Sequence, residues 1–180
     1  MKTTAQFLLA LLVAAFAVAA FRVLAFTLYT VDGHNLEPEL VEGDRILVNR
    51  WSYGLRTGGG KGLFFYGRLL ASPVEKGDIV AFDSPDERHK GVLVCRCRYV
   101  PGDTVAIGKG SYLVPGRTAT CADEDYYWME ALGKGGLDSR IIGPVPESRI
   151  IGRVCMVVYS RDKGRPLLES FRSERTLMLK

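Results

Sequence analysis

The chain has 180 residues, 47% of them apolar, with 24 basic and 20 acidic side chains and a net charge of +4. That length fits one main domain with a real core, and interspersed charges of nearly balanced sign give no case for nucleic-acid binding. Twenty glycines and eight prolines fall between short runs rich in Val, Ile, Leu and Tyr, which predicts a mostly β domain with many turns.

The first thirty residues read differently. Lys2 precedes an uncharged run over 3–21, and after Arg22 the apolar character resumes through Phe26. About 20 apolar residues cross a bilayer as a helix. A single transmembrane anchor is therefore expected over 7–30, behind a cytoplasmic tip at 1–6. Arg22 reaches the interface by snorkelling, and Tyr29 suits the headgroup zone. Ala17-Val18-Ala19 resembles a secretory cleavage site, but the apolar run continues past it, which favours a retained anchor. A long domain behind such an anchor is translocated largely regardless of its charge. The expected location is the inner (cytoplasmic) membrane, single-pass, with the body on the periplasmic or extracellular side.

Past the anchor, three segments echo one another. Gly43-Asp44, Gly77-Asp78 and Gly102-Asp103 each precede a β-prone run, the signature of a glycine turn feeding a strand. Val92–Tyr99 and 153–160 read as two more strands. The glycines of 57–61 lack the order of a phosphate loop and read as a hairpin tip; a second glycine-rich loop covers 133–136. Two aromatic runs, Phe64-Phe65-Tyr66 and Tyr126-Tyr127-Trp128, are divided evenly between core and a surface for lipid or a partner. The β domain is placed at 31–165 and a polar tail at 166–180.

Four cysteines (Cys95, Cys97, Cys121, Cys155) permit two disulfides in an oxidising compartment, with three possible pairings. Cys95 and Cys97 are two apart in a predicted strand and so share a face. His34 and His89 stand far from any ligand spacing, and neither a metal nor another cofactor is expected.

Five motifs then appear in order. They are Asn35-Leu36-Glu37-Pro38; Asn49-Arg50-Trp51-Ser52-Tyr53-Gly54; Gly77-Asp78-Ile79-Val80-Ala81-Phe82; Cys95-Arg96 with Pro101-Gly102-Asp103; and Gly136-Leu137-Asp138-Ser139-Arg140. In sequence and spacing this set resembles signal peptidase I, the membrane-bound serine protease family that removes export signals. Arg22 lies 13 positions before Asn35, as an arginine does before the serine of that family. The resemblance implies an antiparallel β domain behind one transmembrane helix, and a Ser-Lys dyad in which a buried lysine of depressed pKa takes the serine proton.

Each dyad position is changed here. The resemblance puts Asn35 in the nucleophile slot and Cys95 in the base slot. Gly33 falls where a hydroxyl assists the oxyanion, and Gly136 where a serine orients the lysine. A carboxamide nitrogen is not nucleophilic at neutral pH. The scaffold positions remain, with Asp138 and Arg140 expected to brace the cleft. The expectation is a non-catalytic homologue that binds exported preproteins or other extended peptides, at the membrane and in company with an active signal peptidase paralogue. The alternative is an active peptidase using Cys95 with His34, since His34 adjoins the nucleophile slot.

Overall fold

A computed structural model describes residues 2–57, 67–88, 91–108, 110–133, 135–161 and 171, and within the first helix the side chains of 6–19 and Ala25. Helix α1 (Lys2–Ala25) leads into β1 (Phe26–Thr30), β2 (Asp44–Asn49), β3 (Leu55–Thr57), β4 (Gly67–Leu69), β5 (Ile79–Asp83) and β6 (Val92–Tyr99). There follow β7 (Thr104–Ile107), β8 (Gly110–Leu113), helix α2 (Arg117–Thr120), β9 (Tyr126–Glu130), helix α3 (Ser139–Ile142), β10 (Val145–Pro146) and β11 (Ile150–Ser160). The mostly β expectation holds. Seven strands form one antiparallel sheet in the order β1-β2-β11-β5-β6-β9-β10, while β3-β4 and β7-β8 are two-stranded ribbons.

The three Gly-Asp turns share one geometry. Gly43, Gly77 and Gly102 have φ of +91°, +96° and +90°, the left-handed region that glycine enters without a Cβ penalty. Each following aspartate closes the turn twice. Its backbone N–H donates to the carbonyl three residues back, at Val41, Glu75 and Val100, over 3.0, 3.3 and 3.0 Å. Its carboxylate accepts the N–H of the same residue, over 2.9, 3.2 and 2.8 Å. A glycine at the third position with φ above zero is the requirement of a type II turn.

The sheet buries residues on both faces. Ile79 and Ala81 of β5 pack with Leu36, Leu40, Ile46, Val48 and Val157, while Val80 and Phe82 pack with Cys95, Cys97, Met129 and Ile150. Alternation along a strand sends successive side chains to opposite faces, so a strand covered on both sides reads as a continuous apolar run. The same logic decides one of the aromatic runs. Tyr127 and Trp128 are buried and Tyr126 is half-buried, so Tyr126-Tyr127-Trp128 is core and not a surface for lipid. The other run, Phe64-Phe65-Tyr66, and the glycine loop tip lie outside the described residues, although β3 and β4 pair on either side of that tip. Of the polar tail, only Phe171 is described.

Among the described residues no helix is long and apolar enough to cross a membrane. The helix gives way to strand at Phe26, inside the range expected for the anchor. Residues Phe26–Thr30 pair with Asn49 through Arg45 of β2, because β-branched and aromatic residues there find a strand partner. Tyr29 is half-buried and packs against the core cluster.

Candidate functional site

The turn after β1 carries Gly33, His34 and Asn35 across to β6. In the sheet order β1 and β6 are four positions apart, yet Asn35 touches Cys95. The sheet therefore curls so that its first strand overhangs its fifth. Three segments meet there: the turn at 32–36, the middle of β6, and the loop at 131–138.

Asn35 is held as tightly as a residue in a ladder. Its carboxamide oxygen accepts the Leu137 N–H at 3.2 Å, and its nitrogen faces the Leu137 carbonyl at 3.4 Å. The side chain thus pairs with both main-chain groups of one residue, as a neighbouring strand would. Its own carbonyl accepts two N–H donors, from Leu132 at 2.7 Å and Gly133 at 3.0 Å. Beneath it lies Cys95, fully buried. The thiol donates to the Leu137 carbonyl at 3.4 Å and stands 3.8 Å from the Asn35 nitrogen.

Burial, with the Asp138 charge adding to it, pushes the Cys95 thiol up to about 12, against a smaller opposing pull from Asn35. On the order of one thiol in 10⁵ is then ionised at pH 7. A thiol so placed holds its proton at neutral pH. The sulfur also faces no other cysteine: all four cysteines are free thiols, so the expected disulfides are absent. Cys95 and Cys97 do share a face, both inside one core cluster.

The Cys95–His34 alternative finds no support in the contacts of either residue. His34 is 62% exposed and its Nδ1 bonds Glu37 Oε1 at 2.7 Å. That bond raises the imidazole pKa above its ordinary value. The ring turns outward to Glu37 because the turn exposes it, while Cys95 lies under Asn35.

The glycines of the site separate into two kinds. Gly33 has φ +92° with open space beside it, so its backbone conformation selects glycine. Gly136 is a matter of room. A Cβ there would lie 2.7 Å from Asn35 Oδ1 and 2.7 Å from the Ala131 Cβ. A serine side chain at 136 and an asparagine at 35 compete for one volume.

Asp138 is 1% exposed and caps α3. Its carboxylate accepts the Arg140 N–H at 3.0 Å, the Arg140 Nε at 2.8 Å and the Ala131 N–H at 3.2 Å. Arg140 Nη2 closes the pair, and the hydrogen bond to Asp138, with its charge, raises the guanidinium pKa. The arginine side chain itself is 60% exposed.

Beside this floor runs a cleft. A cavity of about 50 Å³ is lined by Tyr29, Val31, Asn35, Leu36, Leu93 and Val94, among others. Strand β6 pairs with β5 along Val92 to Arg96, but with β9 only from Arg96 onward. Residues 92–95 therefore turn a main-chain edge toward the cleft without a ladder partner among the described strands. An unpaired edge beside small apolar recesses is the geometry that takes an extended peptide as an added strand.

Sequence reasoning passed over three contributors. Leu137 acts through its main chain, which leaves no mark in residue type. Glu39 and Arg153 act at long range: Glu39 pairs with Arg96, and Arg153 Nε stands 3.3 Å from Asp78 Oδ1.

Comparison with known proteins accords with this geometry. The profile of the family described as signal peptidase, peptidase S26, matches residues 4–122, a span that holds Asn35 and Cys95 and stops short of Gly136. Mitochondrial inner membrane protease subunit 1 of Xenopus tropicalis is 34% identical over 99 residues, 54% of this chain and 57% of that protein. The chain thus spans little more than half the length of the relative it matches. With the profile covering well over half of its residues, the chain belongs to the signal peptidase family, peptidase S26.

Proposed function

We propose that this chain is a non-catalytic member of its family that holds extended segments of exported polypeptides in the cleft between β1 and β6. The observation that carries the reading is the Asn35 carboxamide clamped to both main-chain groups of Leu137, over a Cys95 thiol whose pKa is pushed up to about 12. A hydrolase of this kind needs a nucleophile with a base beside it. The site offers an amide and a protonated thiol, while the β6 edge keeps its capacity for strand addition.

The proposal places the protein in the inner (cytoplasmic) membrane, single-pass, with the β domain on the periplasmic or extracellular side. Helix α1 is 24 residues long, about 36 Å at helical rise, and its sequence is uncharged over 3–21. The Xenopus relative is by name an inner membrane protein and a subunit. Assembly of this chain with an active family member is the corresponding proposal here.

The test is a cleavage assay with the full chain in detergent. The substrate is a preprotein with an Ala-x-Ala site, run beside Cys95→Ala and Asn35→Ala variants. The expected result is no cleavage by any of the three, with the preprotein crosslinking to a photoreactive group at Val94. Cleavage that depends on Cys95 or Asn35 would overturn the reading.

A further inference from the structure

On the exposed side of β2 that carries Arg45, a recess of about 370 Å³ is lined by Thr30, Gly43, Arg45, Tyr159 and Arg161, and Thr30 also borders the cleft. We propose that this recess binds the headgroup of an anionic phospholipid, and that the apolar row beside it lies against the acyl region. The inference rests on the membrane reading proposed above.

Strand register assembles the two halves. Thr30, Arg45 and Tyr159 are cross-strand partners on β1, β2 and β11 and form one row. Leu28, Leu47 and Met156 form the next row in the same way. Cross-strand partners share a face, and rows two residues apart are about 7 Å apart. Phe26 and Leu28 are 40% and 49% exposed on this face, after a helix whose apolar side chains over 7–19 are also exposed. A cationic row about 7 Å from an exposed apolar row matches an amphiphile with an anionic head.

Arg45 and Arg161 are exposed, and neither makes an ion pair with an acid among the described residues. Asp44, the acid next to Arg45, is buried with Oδ2 accepting the Val41 N–H at 2.9 Å. The Arg45 guanidinium lies 5.9 Å from the centre of the Tyr159 ring, within cation–π range, which pre-orients a planar fork suited to phosphate. The Thr30 hydroxyl adds a neutral donor at the rim. Surfaces rich in anionic lipid attract such arginines.

The assay uses the full chain in a neutral detergent, titrated with dihexanoyl-phosphatidylglycerol, its phosphatidylcholine counterpart, or inorganic phosphate, with thermal unfolding as the readout. At ten times its Kd the phosphatidylglycerol should raise Tm by about 3–5 °C, with little effect from the other two. Arg45→Gln with Arg161→Gln should abolish the shift, and Arg45→Gln alone should weaken it. Both residues are exposed, and each variant's shift is read against its own lipid-free Tm. Arg98→Gln, on exposed β6 surface, should keep the full shift. An equal response to phosphatidylcholine overturns the headgroup site. A response retained by the double variant, or lost with Arg98→Gln, does the same. An equal response to inorganic phosphate would make this a soluble-anion site and overturn the lipid assignment. None of these arms depends on α1 crossing a bilayer. Release of the chain from membranes by alkaline carbonate would instead count against the anchor alone.

Discussion

Two clusters on the same sheet invite comparison, one around Asp78 and one around Asn35. At the first, three sequence motifs lock together through side chains. Tyr53 donates its hydroxyl to Asp78 at 2.8 Å, Arg153 pairs with the other carboxylate oxygen, and Arg96 donates to the Gly77 carbonyl at 2.9 Å. Removing Asp78 leaves the buried Tyr53 hydroxyl without its acceptor. At the second, Asn35 is held mainly by main-chain groups, and its partners Leu132, Gly133 and Leu137 offer those groups whatever their side chains. The Asp78 cluster thus depends on the residue types of its members, while the Asn35 joint depends mainly on main-chain groups.

The comparison predicts unequal costs. Asp78→Ala should destabilise by about 3–5 kcal/mol, because it leaves the Arg153 charge and the Tyr53 hydroxyl without their shared partner. Asp138→Ala belongs in the same range, since that buried carboxylate accepts from Ala131 and Arg140 together. Arg140→Ala, at 60% side-chain exposure, should cost about 1 kcal/mol or less. Urea unfolding of the three variants checks this. Equal losses for Asp138→Ala and Arg140→Ala would show the pair acting as one unit.

Gly136→Ser should come next, at about 1–3 kcal/mol, because the new Cβ meets Asn35 Oδ1 and the Ala131 Cβ at 2.7 Å each. Adding Asn35→Ala removes the first contact and leaves the second. The double variant should therefore lose less than the sum of the singles, with a coupling of about 0.5–1 kcal/mol. Strict additivity in a double-mutant cycle would mean that the two positions do not compete for space.

Much of this was legible in residue order, and the failures have physical causes. Gly43, Gly77 and Gly102 announced three strands because a positive φ before a β-prone run leaves few alternatives. Val92–Tyr99 read as a strand and is one. Tyr126-Tyr127-Trp128 stayed undecided because a strand buried on both faces and an exposed aromatic patch have the same composition. Phe26–Thr30 merged with the anchor because an apolar strand that continues a helix has no breaker between them. The clamp on Asn35 was illegible for a different reason. Leu137 contributes an N–H and a carbonyl, which every non-proline residue carries.

A pH series tests the thiol. Cys95 and Cys97 are each pushed up to about 12 by burial, above the ordinary range near 8.5. A raised pKa means that the folded state keeps a proton the unfolded chain gives up. The stabilisation is complete below pH 8.5 and is lost as pH rises toward 12. The slope is about 1.4 kcal/mol per pH unit for each such proton. Cys95→Ala should flatten the decline of Tm above pH 9 relative to the unsubstituted chain. An unchanged slope would place the titration elsewhere.

Asn35→Ser is a modest change to stability and the most telling for chemistry. It removes the pairing with Leu137 and should cost about 1–2 kcal/mol. It places a hydroxyl beside Cys95, yet should create no protease. A serine needs a neighbour that accepts its proton, and a thiol with its pKa near 12 already holds one. Adding Cys95→Lys supplies an amine in a buried position, where desolvation lowers an ammonium pKa and leaves a usable base. Trace preprotein cleavage by that double variant, with none by either single variant, would show that the cleft and scaffold still present a peptide correctly. Cleavage by Asn35→Ser alone would instead reveal a base near residue 35 that the geometry around Cys95 does not provide.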